Sequence, residues 1–126
     1  MNTTSDLVSR YYDWLKAKTS WRDIRGWAEI TTPYLDRHND YIQIYLREVD
    51  GEYVLTDDGY TIADLIQSGC SLDSPRRKAL LHATLNGFGV QLGENSNLEV
   101  KATQETFALR KHSLLQAILA VNDLFY

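Results

Sequence analysis

The stretch DYIQIYLREVDGEYVLTDDGYTIADLIQSG, residues 40–69, decides the fold. From Tyr41 to Glu48, side chains alternate between Ile or Leu and polar or aromatic residues, which is the period of a half-buried strand. Asp50-Gly51 predicts a tight hairpin turn, because glycine readily adopts the positive φ that such a turn needs. A return strand, a second turn at Asp57-Asp58-Gly59 and a short helix that Gly69 stops are predicted to come next.

The size and composition of the chain are those of a single globular domain, which we expect to span residues 1–126. The chain has 126 residues, of which 44% are hydrophobic and 24% charged, and this excludes disorder as the default. No apolar run is long enough to span a bilayer, and the start of the chain lacks the pattern of a secretory signal. With a single cysteine, these features favour the cytoplasm.

The remaining elements flank this stretch on both sides. An amphipathic helix is predicted over 4–18, with an apolar face formed by Val8, Tyr11, Tyr12 and Leu15. Further elements are predicted as a connection over 19–27, a strand over 28–32, a helix starting at Pro75, two short strands over 90–92 and 97–102, and a helix over 103–125. This order predicts an α+β fold, with an antiparallel sheet of three to five strands packed against the N-terminal and C-terminal helices. The second pair of strands could extend the sheet or form a separate wing.

Three large aromatic residues lie in or near the predicted loops of the first third of the chain. They are Trp21, Trp27 and Tyr34. We expect them to close one end of the core. Exposed Trp and Tyr are also enriched at binding hot spots, so a binding role is the alternative.

Acidic residues are unevenly distributed along the chain. Residues 1–68 hold 12 acids and 7 bases, whereas residues 69–126 hold 5 acids and 6 bases. No Lys or Arg interrupts the acids between positions 48 and 64, and such a region attracts basic surfaces and repels phosphate. The residues expected to contact a partner are Glu48, Asp50, Glu52, Asp57 and Asp58. The alternatives are a solvated hairpin tip and an internal pairing with basic residues.

Three basic residues, Arg76, Arg77 and Lys78, occupy the first turn of the helix that starts at Pro75. A helix dipole disfavours positive charge there, so something is expected to offset the cost. One candidate is an ion pair with the acidic stretch. The other is a bound phosphate or acidic partner, which leads to an alternative function as a nucleic-acid-binding regulator, helped by Arg110 and Lys111.

No catalytic residue, cofactor or metal site is predicted, and we expect that the protein is not an enzyme. The three histidines and Cys70 lack partners at metal-ligand or nucleophile-base spacing. Glu99-Val100-Lys101 leaves one remote alternative, because a metal-dependent nuclease places an acid and a lysine two residues apart on a strand, beside an acid from a neighbouring strand. Asp57 or Asp58 would be that second acid.

The pattern YVLTDDGYTIADLIQSG, followed by a helix with RRKALL, then FGV and a long last helix, resembles an uncharacterised family of small bacterial and phage domains. Its members share a Thr/Ser-Asp-Asp-Gly turn between a strand and a short helix. The resemblance covers the chain from about residue 5 to the end and implies no catalytic residues. It implies a setting of phage–host or mobile-element conflict, in which small acidic proteins act as inhibitors, antitoxins or immunity factors.

These observations together predict a small binding protein that inhibits its partner by protein–protein contact through the acidic hairpin. The expected partner is a defence effector, a nuclease or a toxin, whose basic groove the acids would occupy. No membrane contact is expected. A homodimer through Tyr41 and Tyr45, which alternation places on one side of their strand, stays open.

Overall fold

The fold is a six-stranded antiparallel sheet with helices on one face. The computed structural model describes residues 3–126. Its strands have the spatial order β1-β2-β3-β4-β6-β5. The elements are α1 (Thr4–Lys18), β1 (Ser20–Ile24), β2 (Trp27–Leu35), β3 (Tyr41–Val49), β4 (Glu52–Thr56), α2 (Tyr60–Gln67), α3 (Pro75–Gly87), β5 (Gln91–Leu92), β6 (Leu98–Ala102) and α4 (Phe107–Asn122), with a 3-10 turn at Asp123–Phe125.

The predicted central hairpin and the helix after it are confirmed. Asp50 and Gly51 have φ of 52° and 80°, and this left-handed pair closes β3 onto β4, a geometry that matches the twist of the two strands. Ile42 and Ile44 point into the core, as the alternation predicts. Helix α2 ends before Gly69, whose φ is 88°.

The core lies between the inner face of the sheet and a layer formed by α2, α3 and α4. Helix α4 packs on β4 and β6, and α2 and α3 pack on α4. The side chains with no exposed surface include Ile44, Leu55, Leu65, Leu98 and Leu114. The α+β class is therefore confirmed, and the second hairpin extends the sheet, because β6 pairs with β4.

The expected strand count of three to five is wrong, because residues 20–24 form an additional strand. β1 pairs with β2 through a turn at Arg25-Gly26, whose φ values of 52° and 83° repeat the left-handed pair of the central hairpin. Four of the five residues of β1 are exposed. An edge strand of this kind shows none of the apolar alternation that marks a half-buried strand, which is why its sequence reads as a connection.

Two expectations about the first third of the chain are also wrong. Helix α1 has its predicted bounds, and a capping box between Thr3 and Asp6 starts it, but no residue of α1 is buried. Its aromatic face therefore does not build the core. Trp21 is 68% exposed and does not close the core either. Trp27 is half-buried beneath the guanidinium of Arg47, and only Tyr34 packs against the core as expected.

A β-bulge near the end of β2 shapes the end of the sheet at which the β2–β3 turn lies. The pairing of β2 with β3 shifts register between Thr31 and Leu35. Inside the bulge, the Thr32 hydroxyl donates to the carbonyl of Ile42 at 2.8 Å and accepts the N–H of Tyr34 at 3.3 Å. Because a bulge bends its strand, it also sets the direction in which the chain enters the next turn.

The helices within residues 3–126 include none that is both long and apolar enough to cross a membrane.

Candidate functional site

The structure divides the acids predicted to contact a partner between the two ends of β4. Glu48, Asp50 and Glu52 are exposed at the tip of the central hairpin. Asp57 and Asp58 lie past the opposite end of β4. Asp57 is five residues after Glu52, a separation of about 17 Å at the rise of a strand. The five residues therefore do not form one surface.

Asp57 cannot contact a partner as predicted, because only 2% of the residue is exposed. Its Oδ1 accepts the N–H groups of Gly59 at 2.9 Å and of Leu98 at 2.8 Å, and its Oδ2 accepts the N–H of Thr61 at 3.0 Å. Both oxygens are thus engaged by the turn after β4, the start of α2 and the start of β6. This carboxylate organises the fold.

A cavity of 430 Å³ opens beside Asp57. It lies between the β2–β3 turn and the β4–α2 turn, with α4 at its floor. Of residues 3–126, five aspartates and three tyrosines line it, together with apolar, amide and hydroxyl residues, and no Lys or Arg does. The aspartates are Asp36, Asp40, Asp57, Asp58 and Asp64, the tyrosines are Tyr41, Tyr45 and Tyr60, and the floor residues from α4 are Ile118 and Asn122.

The β2–β3 turn supplies two of these carboxylates. Oδ1 of Asp36 accepts the backbone N–H groups of His38 at 2.8 Å and of Asp40 at 3.1 Å, and Asn39 has a left-handed φ of 62°. Short side chains that bond to the backbone two to four residues on are typical of such turns. Asp36 therefore fixes the turn and holds Asp40 at the edge of the cavity.

Asp64 on α2 is paired with two residues of the same turn. Its Oδ2 lies 2.9 Å from Nη2 of Arg37, and its Oδ1 lies 2.8 Å from Nε2 of His38. Nη2 of Arg37 also donates to the hydroxyl of Ser68, and its guanidinium lies 4.2 Å from the ring centre of Phe125. These contacts hold the β2–β3 turn against α2 and the end of the chain, and so fix one wall of the cavity.

Asp40 and Asp58 are the carboxylates available to a ligand. Neither takes part in an ion pair within residues 3–126. The backbone N–H of Asp40 donates to Asp36 and that of Asp58 to Thr56, but neither carboxylate accepts a hydrogen bond from a described residue. Asp58 is exposed, with a left-handed φ of 60°. One charge therefore comes from each of the two turns.

The tyrosines of the cavity respond to this negative field. Burial raises the pKa of Tyr60 above its ordinary value, and the charges of Asp64, Asp36 and Asp40 raise it further. On the other wall, burial raises the pKa of Tyr45, with added contributions from its hydrogen bond to Glu29 and from the charge of Asp58. Nearby carboxylates disfavour phenolate and favour bound cations for the same Coulombic reason.

Asn122 is the polar residue at the floor of the cavity. It lies one turn after Ile118 on α4 and is 7% exposed. Its side chain makes no hydrogen bond to another residue of the described part of the chain. Sequence reasoning missed it because it comes directly after the apolar face of a long helix, where an amide is easily taken for an end-of-helix residue.

Asp36, Asp40, Asp64 and Tyr60 were also missed by sequence reasoning as members of a site. The stretch DRHND, residues 36–40, reads only as a polar loop. Its two aspartates were a weak signal, since acids that flank a turn before a strand can face the same side. Nothing in the sequence brings them to Asp58, because that proximity depends on the pairing of β2, β3 and β4.

The basic residues of α3 are exposed and lie apart from the acidic stretch. Ser74 caps the helix, and Nη1 of Arg77 lies 3.0 Å from Sγ of Cys70. None of the ion pairs between described residues includes Arg76, Arg77 or Lys78, so the expected internal pairing with the acidic hairpin does not form.

The other basic residues do not complete a basic surface with them. Arg110 lies beside Gly89, past the C-terminal end of α3. The 13 residues of α3 place that end about 20 Å from its first turn. Lys111 is half-buried, and burial lowers its pKa.

Glu99 and Lys101 share the open face of the sheet, as alternation predicts. The neighbours of Glu99 in the adjacent strands are Thr56 and Gln91, so the second acid that the nuclease alternative requires does not lie opposite it. Oε2 of Glu99 accepts a hydrogen bond from Nδ2 of Asn97 at 3.1 Å. Residues 3–126 contain no group of three His, Cys, Asp or Glu residues that could hold a metal ion.

Comparison with known proteins identifies a family for the chain. No curated protein matches it, and no solved structure does. The family match covers residues 32–121, from within β2 to the last turn of α4, and leaves out α1 and β1. The Thr-Asp-Asp-Gly turn and its flanking elements predict membership of an uncharacterised family. The matched family has no assigned function, so the two agree on that point. Since the match spans more than half of the sequence, the chain belongs to the family described as domain of unknown function DUF1828.

Proposed function

We propose that this domain binds a protein partner by accepting one of the partner's basic side chains in the acidic cavity. The observation that carries the proposal is a cavity of 430 Å³ to which the described residues contribute five aspartates and no Lys or Arg. Cavities of this size are typical of ligand sites in proteins. Asp40 and Asp58 pair with no cation within residues 3–126, so a cation from a partner would pair with them.

The charge of the cavity also favours a basic partner before contact. Within residues 3–126, the ion pairs of Arg37 and His38 are to Asp64 alone, and Asp57 is held by backbone N–H groups. The cavity therefore keeps a negative potential, and a concave site lined by one sign of charge concentrates the opposite sign near its mouth. This attraction raises the rate at which a basic partner associates. The same potential repels nucleic acid, because its phosphates are negative like the cavity.

This contact would inhibit a partner that uses its basic residues to bind nucleic acid. A domain that occupies such a groove competes there with phosphate, and the partner loses its substrate. A cytosolic defence effector, nuclease or toxin fits this description, in the setting of phage–host or mobile-element conflict that the family resemblance implies. The contact would then lie at the cavity and not at the hairpin tip, and an acidic surface would still meet a basic one.

Two matched double variants test where the partner binds. Asp40→Asn with Asp58→Asn removes two charges from the cavity, and Asp50→Asn with Glu52→Gln removes two charges from the tip. Each pair includes one left-handed aspartate, at Asp58 or Asp50, and asparagine tolerates that conformation. The probe is an array of random peptides that differ in their content of Lys and Arg.

We expect the wild-type chain to retain basic peptides, the cavity double variant to lose at least tenfold in affinity, and the tip double variant to stay within twofold. Equal losses in both variants would show that total charge, and not the cavity, attracts the peptides. A wild-type chain that ignores basic peptides, or retains duplex DNA through Arg76, Arg77 and Lys78 at low salt, would contradict the proposal.

A further inference from the structure

We infer that the side chain selected by the cavity is arginine, with its guanidinium held between Asp40, Asp58 and the amide of Asn122. This inference rests on the proposed function and names the chemical class of the ligand. It starts from Asn122, whose side chain lines the floor and has no hydrogen-bond partner in residues 3–126 although the residue is 7% exposed. The Asn122 amide is therefore available to donate to, and accept from, a group that enters the cavity.

The floor and walls present acceptors that point to a ligand with several donors. Oδ1 of Asn122 is an acceptor, and the carboxylates of Asp58 and Asp40 come from the two separate turns that flank the cavity. A guanidinium carries five N–H donors in a rigid planar fork, so it can serve acceptors on different sides at once. A lysine ammonium is a compact point charge with three donors and a strong hydration shell, which suits a single carboxylate.

The aromatic lining favours the same choice. Tyr41, Tyr45 and Tyr60 line the cavity, and a planar guanidinium stacks on such rings whereas an ammonium is better hydrated. Elsewhere in this molecule, Arg37 lies 4.2 Å from the ring centre of Phe125 and Arg47 lies 4.4 Å from that of Trp27. A volume of 430 Å³ also admits the three-carbon stem of an arginine behind its head group.

Three short peptides that differ at one residue test the inference on the full chain. The probes are acetylated, amidated Gly-Gly-X-Gly-Gly, with arginine, lysine or the neutral isostere citrulline at X. Binding is followed by two-dimensional ¹H–¹⁵N NMR through the backbone amides of Gly59 and Ala63 and the side-chain amide of Asn122. We expect the arginine peptide to bind at least tenfold more tightly than the lysine peptide, and the citrulline peptide not to bind.

The variant Asn122→Leu keeps the volume of the side chain and removes its acceptor. We expect it to lower the affinity for the arginine peptide at least fivefold and to change that for the lysine peptide by less than twofold. The matched control is Asn95→Leu, an exposed amide in the turn between β5 and β6. If Asn122→Leu does not fold, the side-chain amide signal of Asn122 in the wild-type chain decides, since it should shift with the arginine peptide and stay in place with the lysine peptide.

The outcomes separate this inference from the proposed function. A lysine peptide that binds as tightly as the arginine peptide would overturn the choice of arginine and leave the basic-side-chain proposal standing. Citrulline that binds as tightly as arginine would overturn both, because charge would then play no part. If none of the peptides moves the cavity signals, both proposals fail.

Discussion

Replacement of Asp57 by alanine is the most direct test of the structural account of the cavity. This carboxylate accepts three backbone N–H groups at 2.8 to 3.0 Å while it is 2% exposed. Removing it leaves donors from the β4–α2 turn, from α2 and from β6 without an acceptor. The neighbouring Asp58→Asn removes a charge that makes no such bond, in a residue that tolerates the left-handed φ of this position, and serves as the comparison.

The size of the effect can be worked out from the three lost bonds. A hydrogen bond to a charged group contributes about 1.5–3 kcal/mol, so the three together set an upper limit of roughly 4.5–9 kcal/mol. Water that enters from the adjacent cavity would satisfy some of the stranded donors, and we expect a net loss of about 4 kcal/mol. Asp57→Asn keeps one carbonyl oxygen for two of the donors and turns an NH₂ toward the third, so we expect about 2 kcal/mol.

Urea unfolding, followed by the fluorescence of the tryptophans and by circular dichroism, measures these free energies. Asp57→Ala should be the least stable, Asp57→Asn intermediate and Asp58→Asn close to the wild type. A loss below about 1 kcal/mol for Asp57→Ala would refute the reasoning, because three buried charge-assisted hydrogen bonds cannot be worth so little. Equal losses at both positions would show that the charge of the cavity, and not the hydrogen bonds, sets the stability.

Three further perturbations have expected outcomes of their own. Gly59→Ala should lower the free energy of unfolding by about 2 kcal/mol and Gly51→Ala by about 1 kcal/mol in the same assay, because both residues are left-handed but only the Cβ at Gly59 would meet a backbone carbonyl, at 3.3 Å. Deleting residues 1–18 should change it by less than about 1 kcal/mol, since no residue of α1 is itself buried; a larger loss would show that the helix supports the core. The difference between the ultraviolet titrations of the wild type and of Tyr60→Phe should place the pKa of Tyr60 above 10.0, so its contribution to stability is complete below pH 10 and decreases as the pH rises through the raised pKa; a difference midpoint at or below 10.0 would contradict this.

The central part of the fold could be predicted because its local signals and its tertiary contacts agree. The alternation from Tyr41 to Glu48 and the Asp50-Gly51 turn each determine a structure without reference to the rest of the chain. Strand β1 was not predicted, because an exposed edge strand shows no alternation of apolar and polar residues. The amphipathic pattern of α1 indicated correctly which of its faces is apolar, but amphipathicity does not say whether the chain has anything to place against that face.

The candidate site was only partly predictable for a related reason. A run of acids can be read directly, yet position along the chain does not separate the buried Asp57 from the exposed Asp58, which differ only in which side of the turn they face. Asp40 and Asn122 join the site through strand pairing and through the docking of α4. Both are contacts between distant parts of the sequence, so neither leaves a local pattern.

The contrast between Asp57 and its neighbours has a consequence for how the domain could diversify. Asp57 cannot change without loosening the scaffold, whereas the side chains of Asp40 and Asp58 make no hydrogen bond within residues 3–126. Asp40 is therefore open to exchange, and Asp58 is open to residues that tolerate its left-handed φ of 60°. Substitutions at these two positions, by design or by natural selection, could therefore change which ligand the domain binds while the fold beneath them stays the same. Libraries randomised at Asp40 and Asp58 alone would show how many different ligands one such frame can serve.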